Sequence, residues 1–238
     1  MTTDLLPGRR PDGLDVAITL GGSAGGAALV LGGLSYVHPE TGAWVRDVVS
    51  TRLDVFVLLM FFVETTIIGS SVLAAMRLRA LSWSDLGFRR PLGKRWYAAA
   101  LVLALVVFPV LSLLIELALR RFDLERQDLT LLLGAMRGHP LSLAALIVLG
   151  CLVIPLFEEV LFRGVLFAWL RRRWGRVLAV AVSSLAFALA HGLSGTLVPL
   201  FVLGAFIALL YDLSGSLWPA VLAHGTNNGL AFAATFWI

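Results

Sequence analysis

Seven long apolar runs, at 16–37, 53–76, 96–119, 141–170, 177–191, 197–211 and 217–238, alternate with short polar stretches along the chain. A bilayer core of about 30 Å is crossed by ~20 helical residues at 1.5 Å each, so each run predicts a helix. The pattern as a whole predicts an all-α, polytopic transmembrane bundle of about seven helices, with six and eight as neighbouring counts. The fifth and sixth runs are the shortest, which predicts that they are partly re-entrant or shielded by protein. No low-complexity linker divides the chain and no inverted repeat of the transporter kind is present. Residues 1–140, with the first three runs and their loops, and residues 141–238, which hold the candidate site, are therefore expected to form one membrane domain.

Composition sharpens the class. At 59% hydrophobic and 14% charged, with a mean hydropathy of +0.90, the chain departs from soluble globules, whose charged fraction is nearer a quarter. The net charge of +4 does not point to nucleic acid, because the basic residues lie in short clusters between apolar runs and read as topology determinants. Arg77, Arg79, Arg89, Arg90, Lys94 and Arg95 separate the second and third runs, and Arg171, Arg172, Arg173 and Arg176 separate the fourth and fifth. Placing both loops in the cytoplasm puts the N-terminus inside, against the opposing weight of Arg120, Arg121, Arg126 and Arg137. Arg9 and Arg10 precede the first run and no small-x-small cleavage pattern follows it, so a retained anchor is expected. Residues 123–136 read as an interfacial amphipathic helix. The Arg-rich, Lys-poor composition suggests a prokaryotic cell membrane. Cys151 stands alone in an apolar run and reads as a small core residue.

The fourth run carries the chemistry, in Pro155-Leu156-Phe157-Glu158-Glu159-Val160-Leu161-Phe162-Arg163-Gly164. Insertion scales put an ionised side chain at the bilayer centre at roughly 2.5–3.5 kcal/mol, so two carboxylates and an arginine there imply partners or water. Glu159 and Arg163 are i,i+4 and share a helix face, with the acid on the favourable N-terminal side. Glu158 lies about 100° around the axis and is free to point elsewhere. Pro155 removes a backbone donor and predicts a kink just before the pair. His191 ends the fifth run, while His224 and Asn228 share a face of the last. Counted from the arginine-loop ends, Glu158, His191 and Asn228 lie ~20, ~22 and ~17 Å deep, with His224 at ~10 Å or more. Glu158, His191, His224 and Asn228 can therefore meet in one buried layer.

Such a layer suits amide hydrolysis. A carboxylate in a partly dry pocket is an effective general base toward water, so Glu158 is the candidate base. His191 is the candidate to orient that water or protonate the leaving amine, and His224 with Asn228 to donate to the oxyanion. The competing arrangement is a zinc shell of Glu159, His191 and His224. No His-Glu-x-x-His helix is present and Asn is a poor zinc ligand, so metal-free catalysis is the favoured reading and Zn2+ the alternative.

The ordered set Glu-Glu-x-x-x-Arg, Phe-x-x-x-His and His-x-x-x-Asn, at Glu158, Glu159, Arg163, Phe187, His191, His224 and Asn228, resembles the CPBP family of intramembrane proteases. This family includes the CAAX prenyl endopeptidase Rce and the bacteriocin-processing and immunity proteins called Abi. The resemblance covers approximately residue 141 to the C-terminus; upstream, only Asp85-Leu86-Gly87-Phe88-Arg89-Arg90-Pro91 is similar. It implies a glutamate-activated water with the second motif's histidine assisting and the last His and Asn forming the oxyanion site; family members have also been labelled metalloproteases. The leading reading is an endopeptidase that cuts a membrane-embedded or lipidated peptide near the cytoplasmic half of the bilayer. A non-proteolytic immunity scaffold and a proton-coupled transporter using Glu64, Glu116, Glu158 and the histidines are the alternative functions. Among the remaining signals, Gly21, Gly22, Gly25 and Gly26 read as close helix packing. Phe187 reads as packing beneath the site, His38 and His139 as solvated loop residues, and Trp44, Trp96 and Trp218 as interfacial anchors.

Overall fold

A computed structural model describes residues 10–35, 47–49, 51–119, 133–134, 136–192 and 196–236, and among these there are helices and no strands. Most of the expected 123–136 helix, together with Arg9, His38, Trp44, Arg120, Arg121 and Arg126, lies outside the described residues. Among the described residues, five stretches are long and apolar enough to cross a membrane: Gly13–Val30, Leu53–Arg79, Arg95–Ala118, Pro140–Ala190 and Leu197–Ser214. The fourth, at 51 residues, would measure ~77 Å as one straight helix, more than twice the hydrocarbon core. It is broken at Gly175, whose φ of 80° and ψ of 179° leave the helical region.

The described helices then number seven. α1 is Gly13–Ser35 and α2 is Leu53–Arg79. α3 runs from Arg95–Val102 through a π-helical stretch, Leu103–Val107, into Phe108–Leu119. α4 comprises Pro140–Val148, the π-helical Leu149–Val153, Ile154–Glu159, the π-helical Val160–Phe167 and the turns up to Gly175. α5 is 176–190, α6 is Leu197–Ser214 and α7 is Leu217–Phe236. The polytopic, all-α bundle read from the hydrophobic pattern is thus the architecture of the molecule.

Small residues set the closest approaches. A Cβ on Gly22 would fall 2.9 Å from Ser71 Cβ, and one on Gly26 2.8 Å from Ile67 Cγ2, so the glycine face of α1 lies directly on α2. Ser23 and Ser71 hydroxyls share a 2.8 Å hydrogen bond across that contact. Phe108, Phe162, Phe167, Phe187, Leu203 and Ile207 are buried together between α3, α4, α5 and α6. Leu29, Leu105, Val106, Leu113 and Leu152 remain exposed on the outside of the bundle, where lipid replaces water as their solvent.

The two arginine loops meet at one end. Arg79 at the end of α2 binds Asp12 and Asp15 at the start of α1, at 2.6 and 3.0 Å. Arg171 and Arg176, on either side of the Gly175 break, both bind Asp212 of α6. The 82–92 loop closes this end: Leu86 is buried, with its carbonyl 2.5 Å from where a Gly164 Cβ would stand. The Gly87 carbonyl accepts from the Leu217 N–H at 2.9 Å, and the Arg89 carbonyl from the Ser216 hydroxyl at 2.6 Å. The short motif upstream of the main resemblance is therefore the plug that joins α4 to the start of α7. At the far end, Ser142 donates to Asp54 at 2.8 Å and ties α4 to α2.

Candidate active site

Glu158 and Glu159 leave α4 in different directions, as their ~100° separation requires. Glu159 turns inward and is fully buried with Arg163. Its Oε1 accepts from Arg163 Nη1 at 2.8 Å and from His224 Nδ1 at 2.8 Å. Arg163 Nη2 donates to the Gly204 carbonyl of α6 at 3.1 Å, and its guanidinium lies 4.6 Å from the centre of the Phe187 ring. Phe187 is also 4.7 Å from the His191 ring and 5.5 Å from the His224 ring, so it forms the floor on which the polar groups are arranged.

The hydrogen bonds fix both imidazoles. His191 Nδ1 lies 2.9 Å from the Phe187 carbonyl, which can only accept, so Nδ1 carries the proton. His224 Nδ1 likewise faces a carboxylate oxygen already shared with Arg163. Each ring is left with Nε2 facing Glu158: His191 Nε2 is 3.6 Å from Oε1 and His224 Nε2 is 3.6 Å from Oε2. These separations exceed a direct hydrogen bond and suit a bridging water. Glu158 and His224 are buried, whereas the His191 side chain is 31% exposed.

Pro155 acts through the backbone register. In the π-helical stretch the Ile154 N–H bonds to the Leu149 carbonyl. The next carbonyl in that i to i+5 ladder, Gly150, meets Pro155, which has no N–H. Asn228 Nδ2 donates to this Gly150 carbonyl at 2.9 Å. The following carbonyl, of Cys151, lies 2.1 Å from where a Gly225 Cβ would be, so α7 can approach α4 only because residue 225 has no side chain.

These groups bound a cavity of about 350 Å³, lined also by Glu64 and Phe61 of α2, Ser112 of α3, Pro199 of α6 and Phe232 of α7. Its lining extends from the level of Glu158 toward the end of the bundle remote from the arginine loops. An orientation with those loops in the cytoplasm therefore places the cavity in the outer half, and does not accord with cleavage in the cytoplasmic half.

Glu158, His191, His224 and Asn228 come together as expected, and the Glu159–Arg163 pair is formed. The alternative zinc trio of Glu159, His191 and His224 does not converge, because Glu159 lies behind His224, bonded to Nδ1 and Arg163, while the two Nε2 atoms face Glu158. Among the described residues no group of three His, Cys, Asp or Glu side chains has a metal-holding arrangement. Sequence reasoning missed the Glu159–His224 bond, the Asn228–Gly150 bond and the place of Glu64 in the cavity wall; only the presence of Glu64 in an apolar run hinted at the last.

The fold and the site define an integral, multi-pass membrane protein with an intramembrane carboxylate–histidine centre. Residues 140–230 match the family model described as type II CAAX prenyl endopeptidase Rce1-like, which supports the similarity of that segment to the CPBP/CAAX protease family. Neither the curated proteins nor the solved structures gave a significant match. The class supported in general terms is a CAAX-type intramembrane endopeptidase. All of the motif residues fall inside the matched segment, whereas Glu64 falls outside it.

Proposed function

We propose that the protein is an intramembrane endopeptidase in which Glu158 activates the attacking water, without a metal. The observation that supports this most directly is the pair of Nε2 atoms held 3.6 Å from the two Glu158 oxygens at the wall of a cavity. A water between Glu158 and His191 Nε2 gives up a proton to the carboxylate as its oxygen attacks the scissile carbonyl. Breakdown of the tetrahedral intermediate returns that proton to the leaving amine, directly or through His191.

His224 and Asn228 serve the oxyanion. Donation from His224 Nε2 requires the imidazolium, whose charge the Glu159 carboxylate on Nδ1 balances. Asn228 uses one amide N–H on the Gly150 carbonyl and retains the other for the oxyanion. The substrate is a membrane-embedded or lipidated peptide.

The test is cleavage of a quenched-fluorescent membrane-peptide library by purified wild type and Glu158→Gln, each with and without a zinc chelator. The expected outcome is chelator-resistant cleavage that falls by roughly 10²–10⁴-fold in the variant, the size of a general-base contribution. Full turnover by the variant refutes the role of Glu158, and chelator-sensitive cleavage restored by zinc refutes the metal-free scheme.

A further inference from the structure

Glu64 is not used by the mechanism above, and its position in the cavity needs an explanation. It lies eleven residues into α2, ~17 Å from the start of a membrane-spanning helix, where an ionised side chain is retained only with a partner or a task. Three acidic groups at the helix ends and behind the site, Asp54, Asp212 and Glu159, are paired. Asp54 binds Arg52 and Ser142, Asp212 binds Arg171 and Arg176, and Glu159 binds Arg163 and His224. Among the described residues Glu64 has no hydrogen bond or ion pair. It lines the same cavity as His191 and Glu158.

The cavity wall contains two carboxylates, Glu64 and Glu158, two histidines, His191 and His224, and no Lys or Arg. The guanidinium of Arg163 is fully buried and committed to Glu159 and Gly204. Glu158 is 4% exposed and faces the two histidine Nε2 atoms at 3.6 Å, which leaves Glu64 as the cavity carboxylate without a partner among the described residues. A free carboxylate would meet like charge there, whereas an ammonium or guanidinium would find a counter-ion already in place.

We propose that Glu64 is a specificity-determining residue that receives a cationic group of the peptide substrate, either a Lys or Arg side chain beside the scissile bond or a free amino terminus. This rests on the endopeptidase reading for its consequence in cleavage, but cation recognition by the cavity is measurable without cleavage.

The probes are fluorescent, Leu/Ala-rich membrane peptides carrying one Lys, Arg or norleucine at successive central positions, each with a free or an acetylated amino terminus. Binding is read by fluorescence anisotropy on Glu158→Gln protein, with and without Glu64→Gln. Cleavage is read on wild type, Glu64→Gln and Glu64→Asp. The expected result is about a tenfold preference for the cationic peptide in both readouts, which Glu64→Gln reduces to about one and Glu64→Asp partly retains. Such a factor is the size of one charge-assisted contact. Loss of the preference on acetylation assigns the amino terminus, and its persistence assigns the side chain.

A preference untouched by Glu64→Gln, binding indifferent to charge, or no binding of any peptide overturns the proposal. An equal loss for cationic and neutral peptides also overturns it and moves Glu64 into the proton path. Cation-selective binding without cleavage of any peptide upholds the proposal and overturns the endopeptidase reading instead.

Discussion

Arg163→Met should be among the most destabilising single substitutions in the chain, because Arg163 and Glu159 are both fully buried and neither has water to fall back on. Removing one member of a buried ion pair costs about 3–5 kcal/mol, since the other charge is left uncompensated. His224 Nδ1 would remain on Glu159, but its imidazole does not replace the guanidinium bond to Gly204 or the contact with the Phe187 ring. Converting both members to apolar residues, in Glu159→Leu with Arg163→Met, removes the stranded charge. What remains is the unpaired Nδ1–H of His224 and the Gly204 carbonyl, at about 1–3 kcal/mol for an orphaned group. Adding His224→Phe removes the first of these and should recover further stability. Reversible unfolding in mixed detergent–SDS micelles measures the series, and the expected order of loss is single, then double, then triple. A single variant costing under about 1 kcal/mol, or a double costing more than the single, would show that charge burial does not dominate this site. All three variants are expected to be inactive, so stability and turnover separate the structural role from the chemical one.

Two further outcomes follow from the α4–α7 contact. Asn228→Ala strands the Gly150 carbonyl and should cost about 1–3 kcal/mol, and Pro155→Ala in the same chain, by restoring a backbone N–H, should return most of it; thermal melting of the single and double variants checks this, and absence of rescue refutes the register argument. Gly225→Ala places a Cβ 2.1 Å from the Cys151 carbonyl oxygen, a backbone atom, whereas Gly229→Ala meets only Cys151 Sγ at 3.7 Å. The first should lower the melting temperature severely and the second leave it nearly unchanged, and equal effects would mean that the helices part more easily than the packing implies.

The helices were legible because lipid forces apolar residues into long unbroken runs, and each run at 53–76, 96–119 and 197–211 falls inside a helix of the molecule. The i,i+4 rule placed Arg163 on Glu159 and left Glu158 for the cavity, which needed no tertiary information. What spacing along one helix cannot give is which neighbour turns toward it. The Glu159–His224 bond joins residues 65 apart, and the choice between Glu158 and Glu159 as the partner of both Nε2 atoms depends on how α7 is rotated. That rotation is set by Gly225 against the Cys151 carbonyl. The alternative zinc trio named the right residue types, and the rotation that turns Glu159 away from the two Nε2 atoms was not readable from spacing.

The equal depth of Glu158 and His191 has a simpler cause. Gly175 divides the 140–190 stretch so that the arm from Glu158 down to the break measures ~25 Å and the arm back up to His191 ~24 Å. A hairpin with equal arms returns its end to the level from which it left, provided the two arms stay antiparallel. Asp212 supplies that condition, since it binds Arg171 before the break and Arg176 after it. The arginines that sequence reading assigned to topology thus also fix the angle of the hairpin that brings a histidine to the Glu158 carboxylate. Helix α5 ends at His191 because Gly192, at a φ of 97°, turns the chain away there, so the imidazole stands at the helix terminus on the cavity wall. That leaves it partly exposed, as Asn228 is, while Glu158 and His224 are buried, and in the proposed mechanism it stands where a proton can pass between the carboxylate and a leaving group in the cavity.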